Sequence, residues 1–458
     1  MKKTELSDHF TWKKLLLYSL PAIGNALAIT SFQLIDGGFV SNFLGVTPFA
    51  AVNLISPLFF MFYAVGFMFG AGTSALVSQC MGEGDGLRAR RIFSMSLTAM
   101  TAAGLVLGVL ATVWMPHLAV LFRADENNLE YCVEYGRMLM VFLPLHLINA
   151  AFLTLWITAG KAWLGFAVSV INGAGNALLD WLFMGPLKWG VRGAALATSL
   201  ASAATALIIL GYFSRTKTAS LSLVRFSMKD FRELGRICYN GLSEMMDSVA
   251  GNFTQMIINS RLLFFFGEVG VAAMGVFLYV ISVFMAFFLG ISETAVTVVG
   301  YKCGEKDGKE IHRILKGGLV LMLSAGAVAG VLCLLFSSPI AGLYLGYSDE
   351  AFRLSVHVLK ISSLACLFYG VVLYCSSFFT GMGDGTASML ISVCMSVAGP
   401  IAMVYLLPSV FGRDAIWFAM PASAVLAALL CVGLLRTRYV RRIQQMNSEK
   451  QSIKESGL

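Results

Sequence analysis

Charge is what this sequence has least of. Asp, Glu, Lys and Arg make up 13% of its 458 residues, about half the share of an ordinary soluble protein, while 58% are hydrophobic. A water-soluble fold needs a charged surface that this composition does not supply, which excludes an ordinary cytosolic enzyme and a disordered chain. The nine cysteines form no Cys-x-x-Cys pair and are scattered through apolar segments. That excludes a secreted disulfide scaffold and suits small buried apolar residues. Metal-ligand spacing, a Walker loop and a Ser/His/Asp cluster are missing from the sequence, so nothing calls for an enzyme or a cofactor. The apolar runs are too long, and alternate too little, for a membrane β-barrel. What remains is an all-α integral membrane protein.

A membrane helix needs roughly 20 mostly apolar residues. Twelve stretches qualify, at about 15–42, 50–78, 92–113, 135–158, 162–185, 193–213, 236–266, 272–300, 314–336, 355–380, 386–408 and 414–436. The longest connection, about 214–235, is basic and divides the chain in half. Basic residues followed by Leu15–Leu20 and Ala26–Ala28 faintly imitate a signal peptide, but the apolar stretch continues and reads as a first membrane helix. Placing the N-terminus, alternate loops and the C-terminus in the cytoplasm gives those segments 25 of the 33 Lys and Arg residues. This bias predicts that both termini are cytoplasmic. The net charge of +8 therefore reflects topology, and no nucleic-acid partner is expected.

Shifting the chain by about 222 residues matches two blocks. Phe43, Gly45, Ala50 and Ala51 face Phe265, Gly267, Ala272 and Ala273. The run Gly82–Gly86 with Arg91 and Ile92 faces Gly304–Gly308 with Arg313 and Ile314. Further on, Pro116 faces Pro339 and Gly160 faces Gly383. Twelve transmembrane helices thus form two six-helix pseudo-symmetric lobes: an N-lobe 1–214, a linker 215–235, a C-lobe 236–440 and a tail 441–458. Parallel repeats suit a transporter with its site at the repeat interface; a channel is the other reading.

Ionisable groups at membrane depth cost a few kcal/mol each and mark function by default. Five acids fall inside the spans: Asp36, Asp180, Glu244, Asp247 and Glu293. Asn25, Phe32 and Asp36 share one face of span 1, where Pro21 can act as a hinge. Asp36 reads either as an end-of-helix residue or as a cation-binding carboxylate. Span 5 carries Asn172, Asn176 and Asp180 as one polar stripe, which must face protein or water. Span 7 carries Glu244, Asp247, Gln255 and Asn259, with Arg261 expected near the outer surface, snorkelling or paired with an acid. Glu293 stands where the first repeat has Ala71. His146 can share a face with Asn149 and reads as a hydrogen-bonded interhelical residue sooner than as a proton relay. Met256, Phe284 and Phe288 are among the residues that could form a soft wall for cations.

The order of Asp36, Gly45, Ala50-Ala51, the Gly82–Gly86 loop, Asn176–Asp180, Gly193–Thr198 and Asn240–Met245 resembles the multidrug and toxic compound extrusion (MATE) family, in its MepA-like bacterial branch. The likeness covers about residues 12–436. It implies two six-helix lobes in a V shape and a cation site at Asp36 and Asp180, with Asn176, Asn149 and Thr198 as polar members. An acid carried in span 10 by another branch has no counterpart between Lys360 and Thr380. The resemblance implies a cation-coupled antiporter, driven by H+ or Na+, that exports amphipathic, cationic compounds by alternating access. Asp36 and Asp180 are the only residues to which a sodium ion is assigned. Glu244, Gln255, Asn259, Glu293, Phe32 and Asn172 are candidates for substrate contact or a second acidic site. The alternative is a flippase of lipid or lipid-linked saccharide from the same superfamily. A monomer in the bacterial inner membrane is expected.

Overall fold

The computed structural model describes residues 6–122, 124–216, 221–345 and 348–455. Among them every regular element is helical. The physical reason is that a helix satisfies its backbone polar groups internally where lipid offers no partners.

The helices are α1 (Trp12–Leu44), α2 (Val46–Gly82), α3 (Gly86–Leu121), α4 (Leu129–Val141), α5 (Leu143–Thr158), α6 (Ala162–Met184), α7 (Gly190–Arg215) and α8 (Leu234–Gly304). They continue as α9 (Gly308–Leu335), α10 (Ser337–Leu345), α11 (Asp349–Gly381), α12 (Gly385–Val393), α13 (Gly399–Phe411), α14 (Ala419–Leu434) and α15 (Val440–Glu455). Among the described residues, ten helical runs are long and apolar enough to cross a membrane, and α4 with α5, bent by 65°, makes an eleventh. Pro144 explains the bend, because it lacks a donor and its ring crowds the preceding turn. The twelfth comes from α8. Its 71 residues would reach about 105 Å if straight, several times a bilayer's core of about 30 Å. Gly267, at φ 62 and ψ −157, breaks it into two arms. Each of the twelve expected spans thus has its helix, bent pair or arm.

The repeat is written into the backbone. Gly45 and Gly267 both have positive φ where one span ends and the next begins. Gly84 and Lys306, Gly160 and Gly383, and Gly190 and Gly412 likewise share positive φ at matching positions. Asp85 and Asp307 cap the following helices in the same way, accepting from the backbone N–H of Arg88 and Glu310.

The chain forms two compact units, Gly24–Ser248 and Met1–Ile23 with Val249–Leu458. Small residues let the helices of each approach closely, as membrane helices require. In the first unit, α2 seats Gly70 on Ala151 of α5, and Gly72 and Gly241 admit the backbones of Ile237 and Met68. The start of α8 therefore packs with the first unit. Of the linker 215–235, residues 217–220 lie outside the described residues. Leu221 is buried, and Val224 N donates to Ser94 Oγ at 2.9 Å. In the second unit, Gly290 lies against Ile23, Gly326 against Cys366 and Leu367, and Gly381 against Val296. The start of α1 therefore packs there.

The same substitution should have opposite signs at two glycines. Gly267→Ala forces an L-residue into a region reserved for glycine and should cost about 1–3 kcal/mol. Gly433→Ala, on an exposed helical turn with open space around it, should gain up to about 1 kcal/mol. Thermal melting of the purified protein in detergent checks both.

Candidate functional site

In the first unit, α1 from Gly24 onward and α6 run side by side in the same direction. Gly24 faces the Phe166 ring, Phe32 lies on Gly173, and Phe43 reaches Gly185. Any side chain at Gly173 would overlap the Phe32 ring, so this glycine sets how closely the helices approach. One turn beyond Phe32 comes Asp36; one and two turns beyond Gly173 come Asn176 and Asp180. The register that seats Phe32 on Gly173 therefore brings the Asp36 and Asp180 carboxyls side by side.

Asp180 is 0% exposed, and neither of its oxygens meets a hydrogen-bond donor. Asp36 Oδ1 is likewise buried without one. Two ionised carboxylates only accept, so neither can satisfy the other. Asn176 neighbours Asp180, and its Nδ2 donates to Thr198 Oγ1 at 3.3 Å. Thr198 in turn donates to Ala194 O at 3.2 Å. Carboxylates, an amide and a hydroxyl are hard oxygen donors, suited to a proton or a hard cation. Among the described residues, no group of three or more His, Cys, Asp and Glu is gathered as for a multivalent metal.

The structure draws Asn149 toward α7. Its Nδ2 donates to Ser202 O at 2.8 Å and Leu145 O at 3.0 Å, and its Oδ1 accepts from Thr205 Oγ1 at 2.8 Å. Its side chain thus fastens α5 to α7. Two further neighbours of these residues carry little signal in the sequence. Thr205 continues a legible stripe of Thr198, Ser202 and Thr205. Tyr135, buried on α4 and within electrostatic reach of both carboxyls, is one tyrosine with no periodic signal.

Other expected residues lie elsewhere. Asn172 is half-buried on α6. Glu244 and Asp247 are half-buried in the first unit, each engaged by neighbours. In the second unit, Gln255 Nε2 donates to Asn259 Oδ1 at 2.8 Å, so these two partner each other. Glu293, also there, is half-buried and engaged. Of the two readings of Arg261 the paired one is not met, and the expectations for His146 and Phe288 are corrected. Among the described residues no acid pairs with Arg261; its guanidinium lies over the rings of Phe264, Phe265 and Tyr405. His146 leaves Nε2 without a partner and packs edge-on to Phe59, because its surroundings are apolar. Phe288 lines no wall, being fully buried against Gly370. Pro21 lies inside an uninterrupted α1, two residues before the chain passes between compact units at Ile23 and Gly24.

Comparison with known proteins bears on this arrangement. The MatE family model matches the chain twice, at residues 21–182 and 245–405, one match for each half of the repeat. The multidrug export protein MepA of Staphylococcus aureus (strain MRSA252) is 21% identical, over 93% of this chain and 94% of its own. The probable multidrug resistance protein YoeA of Bacillus subtilis (strain 168) is 24% identical, over 92% and 93%. A solved outward-facing multidrug resistance MATE family transporter superposes with a TM-score of 0.88 at 22% identity, covering 98% of this chain and 99% of that one.

Gly173→Leu should push Phe32 off α6 and cost about 1–3 kcal/mol by overpacking. Gly175→Ala, with nothing within 4 Å, should melt at or above the wild-type temperature. Melting in detergent separates the two.

Proposed function

The chain belongs to the MatE family of membrane transporters, and from that premise we propose that it exports amphipathic, cationic small molecules in exchange for H+ or Na+. It is a multi-pass membrane protein and not an enzyme. The observation that carries the coupling is the Asp36–Asp180 pair, two adjoining carboxyls with three buried oxygens and no donor. Burying one unpaired charge costs several kcal/mol, and a second like charge beside it costs more. A proton shared by the pair, or a sodium ion between them, relieves that cost, so the pair has reason to take up one positive charge.

In this reading Asp36 and Asp180 carry the ion, and Asn176 and Thr198 orient the oxygens around it. Asn149 holds the α5–α7 frame. Pro21 is the hinge of α1, close to where the chain crosses between units. Ion entry from outside gains about 2.3 kcal/mol per charge for every 100 mV. Export follows if ion and substrate favour opposite conformations or exclude each other. Phe32, Asn172, Glu244, Gln255, Asn259 and Glu293 are the candidates for substrate contact. The multidrug export protein MepA and the probable multidrug resistance protein YoeA, as relatives, support a multidrug substrate range. We assign the repeat halves 1–214 and 236–440 as the two lobes. The protein is placed in the bacterial inner membrane as a monomer, with cytoplasmic termini and no cofactor beyond the coupling ion.

Ethidium efflux from energised cells lacking their own pumps tests this. Wild type should export the dye, and Asp36→Asn or Asp180→Asn should lower the rate at least about tenfold, the scale of losing one ionic interaction of 1.4 kcal/mol or more. Collapse by an uncoupler with sodium absent would assign H+; dependence on added sodium would assign Na+. Full efflux in both variants would remove the pair from the mechanism. No efflux from well-expressed wild type would favour a lipid or saccharide flippase.

A further inference from the structure

Three arginines gather where the last span ends. The α14 segment is apolar through Leu434, widens into a π turn at Leu435–Tyr439 and runs on into α15. A cavity of about 440 Å³ opens beside this turn. Its floor is Phe379 and Met382, both almost fully buried at the end of α11. Asp384, Arg438, Arg441, Arg442 and Gln445 complete its lining.

The charges do not balance. Asp384 Oδ1 accepts from Arg438 Nη1 at 2.8 Å and from Ala387 N at 3.1 Å, capping α12. The one acid of the cavity is therefore committed to one arginine. Among the described residues, no carboxylate pairs with Arg441 or Arg442. The cavity is left with two uncompensated guanidinium groups. Basic residues after a last span also arise from topology alone. Topology, however, requires no cavity, no buried apolar floor and no acid that anchors one of the arginines.

We propose that this cavity binds the phosphate headgroup of an anionic phospholipid. A guanidinium presents a planar fork that matches phosphate oxygens. The site lies where α11 and α14 leave their apolar stretches, which is headgroup level. Basic pockets between membrane helices are suited to such headgroups. Arg441 and Arg442 hold the phosphate, Arg438 is fixed by Asp384, and the apolar floor faces the glycerol end of the lipid. This assignment does not depend on the exported substrate or the coupling ion.

The test uses the full chain, purified and delipidated in detergent, with phosphatidylglycerol or phosphatidylcholine added and retained lipid counted by native mass spectrometry. Wild type should retain phosphatidylglycerol in preference to phosphatidylcholine, and millimolar inorganic phosphate should not displace it. Arg441→Gln with Arg442→Gln should weaken retention roughly fivefold for each arginine removed, with the lipid-free melting temperature unchanged because both side chains are exposed. Lys229→Gln with Arg232→Gln, two exposed cations elsewhere, should retain lipid like wild type. Undiminished retention in the arginine pair, equal retention of phosphatidylcholine or equal loss in the control pair would overturn the proposal. Displacement by phosphate would make this a site for free anions and would overturn the lipid assignment.

Discussion

Two carboxylates that cannot satisfy each other while both are ionised, held side by side in the first unit, are the least comfortable pair of groups in this structure. Asp180 is fully buried and Asp36 partly so, and three of their four oxygens lack a donor. A structure built for stability alone would place apolar groups there, since buried unpaired charge is costly. The cost is tolerable if the pair spends its working cycle with a positive charge between the oxygens. The surrounding features serve that arrangement. Phe32 on Gly173 sets the register, Thr198 steadies Asn176, and Asn149 ties α5 to α7.

Packing elsewhere follows one rule in both units. Helices cross where glycine or another small residue removes the side chain, as at Gly70 on Ala151 and Gly381 on Val296. Lipid supplies no hydrophobic drive between helices, so close backbone contact and interhelical hydrogen bonds hold them. The cluster of Ser376, Ser388, Ser392 and Thr380 is the hydrogen-bonded counterpart in the second unit. The chain passes from one unit to the other within α1 and again within α8.

Much of this was legible from residues alone, for physical reasons. Apolar length set the spans, and the Asn172–Asn176–Asp180 stripe stood out because lipid penalises polar faces. The matched glycines Gly45 and Gly267 were visible as letters, but their shared positive φ needed a backbone. Tertiary contacts were not legible. Arg261 left snorkelling and an acid partner both open, and aromatic rings receive it; Phe288 suggested a wall, yet Gly370 draws it into the core. Tyr135 approaches the carboxyls only through the fold. Packing of α1 and α8 into units also depends on which glycines meet which backbones.

The most direct test of the central claim is the ion exchanged when substrate binds. Purified protein would be titrated with ethidium in weakly buffered detergent solution, following proton release without sodium and displacement of radioactive sodium in its presence. The account predicts release of H+ or Na+ on binding by the wild type, and its loss in Asp36→Asn and Asp180→Asn. Ethidium binding that releases neither ion, or release undiminished in both variants, would contradict it.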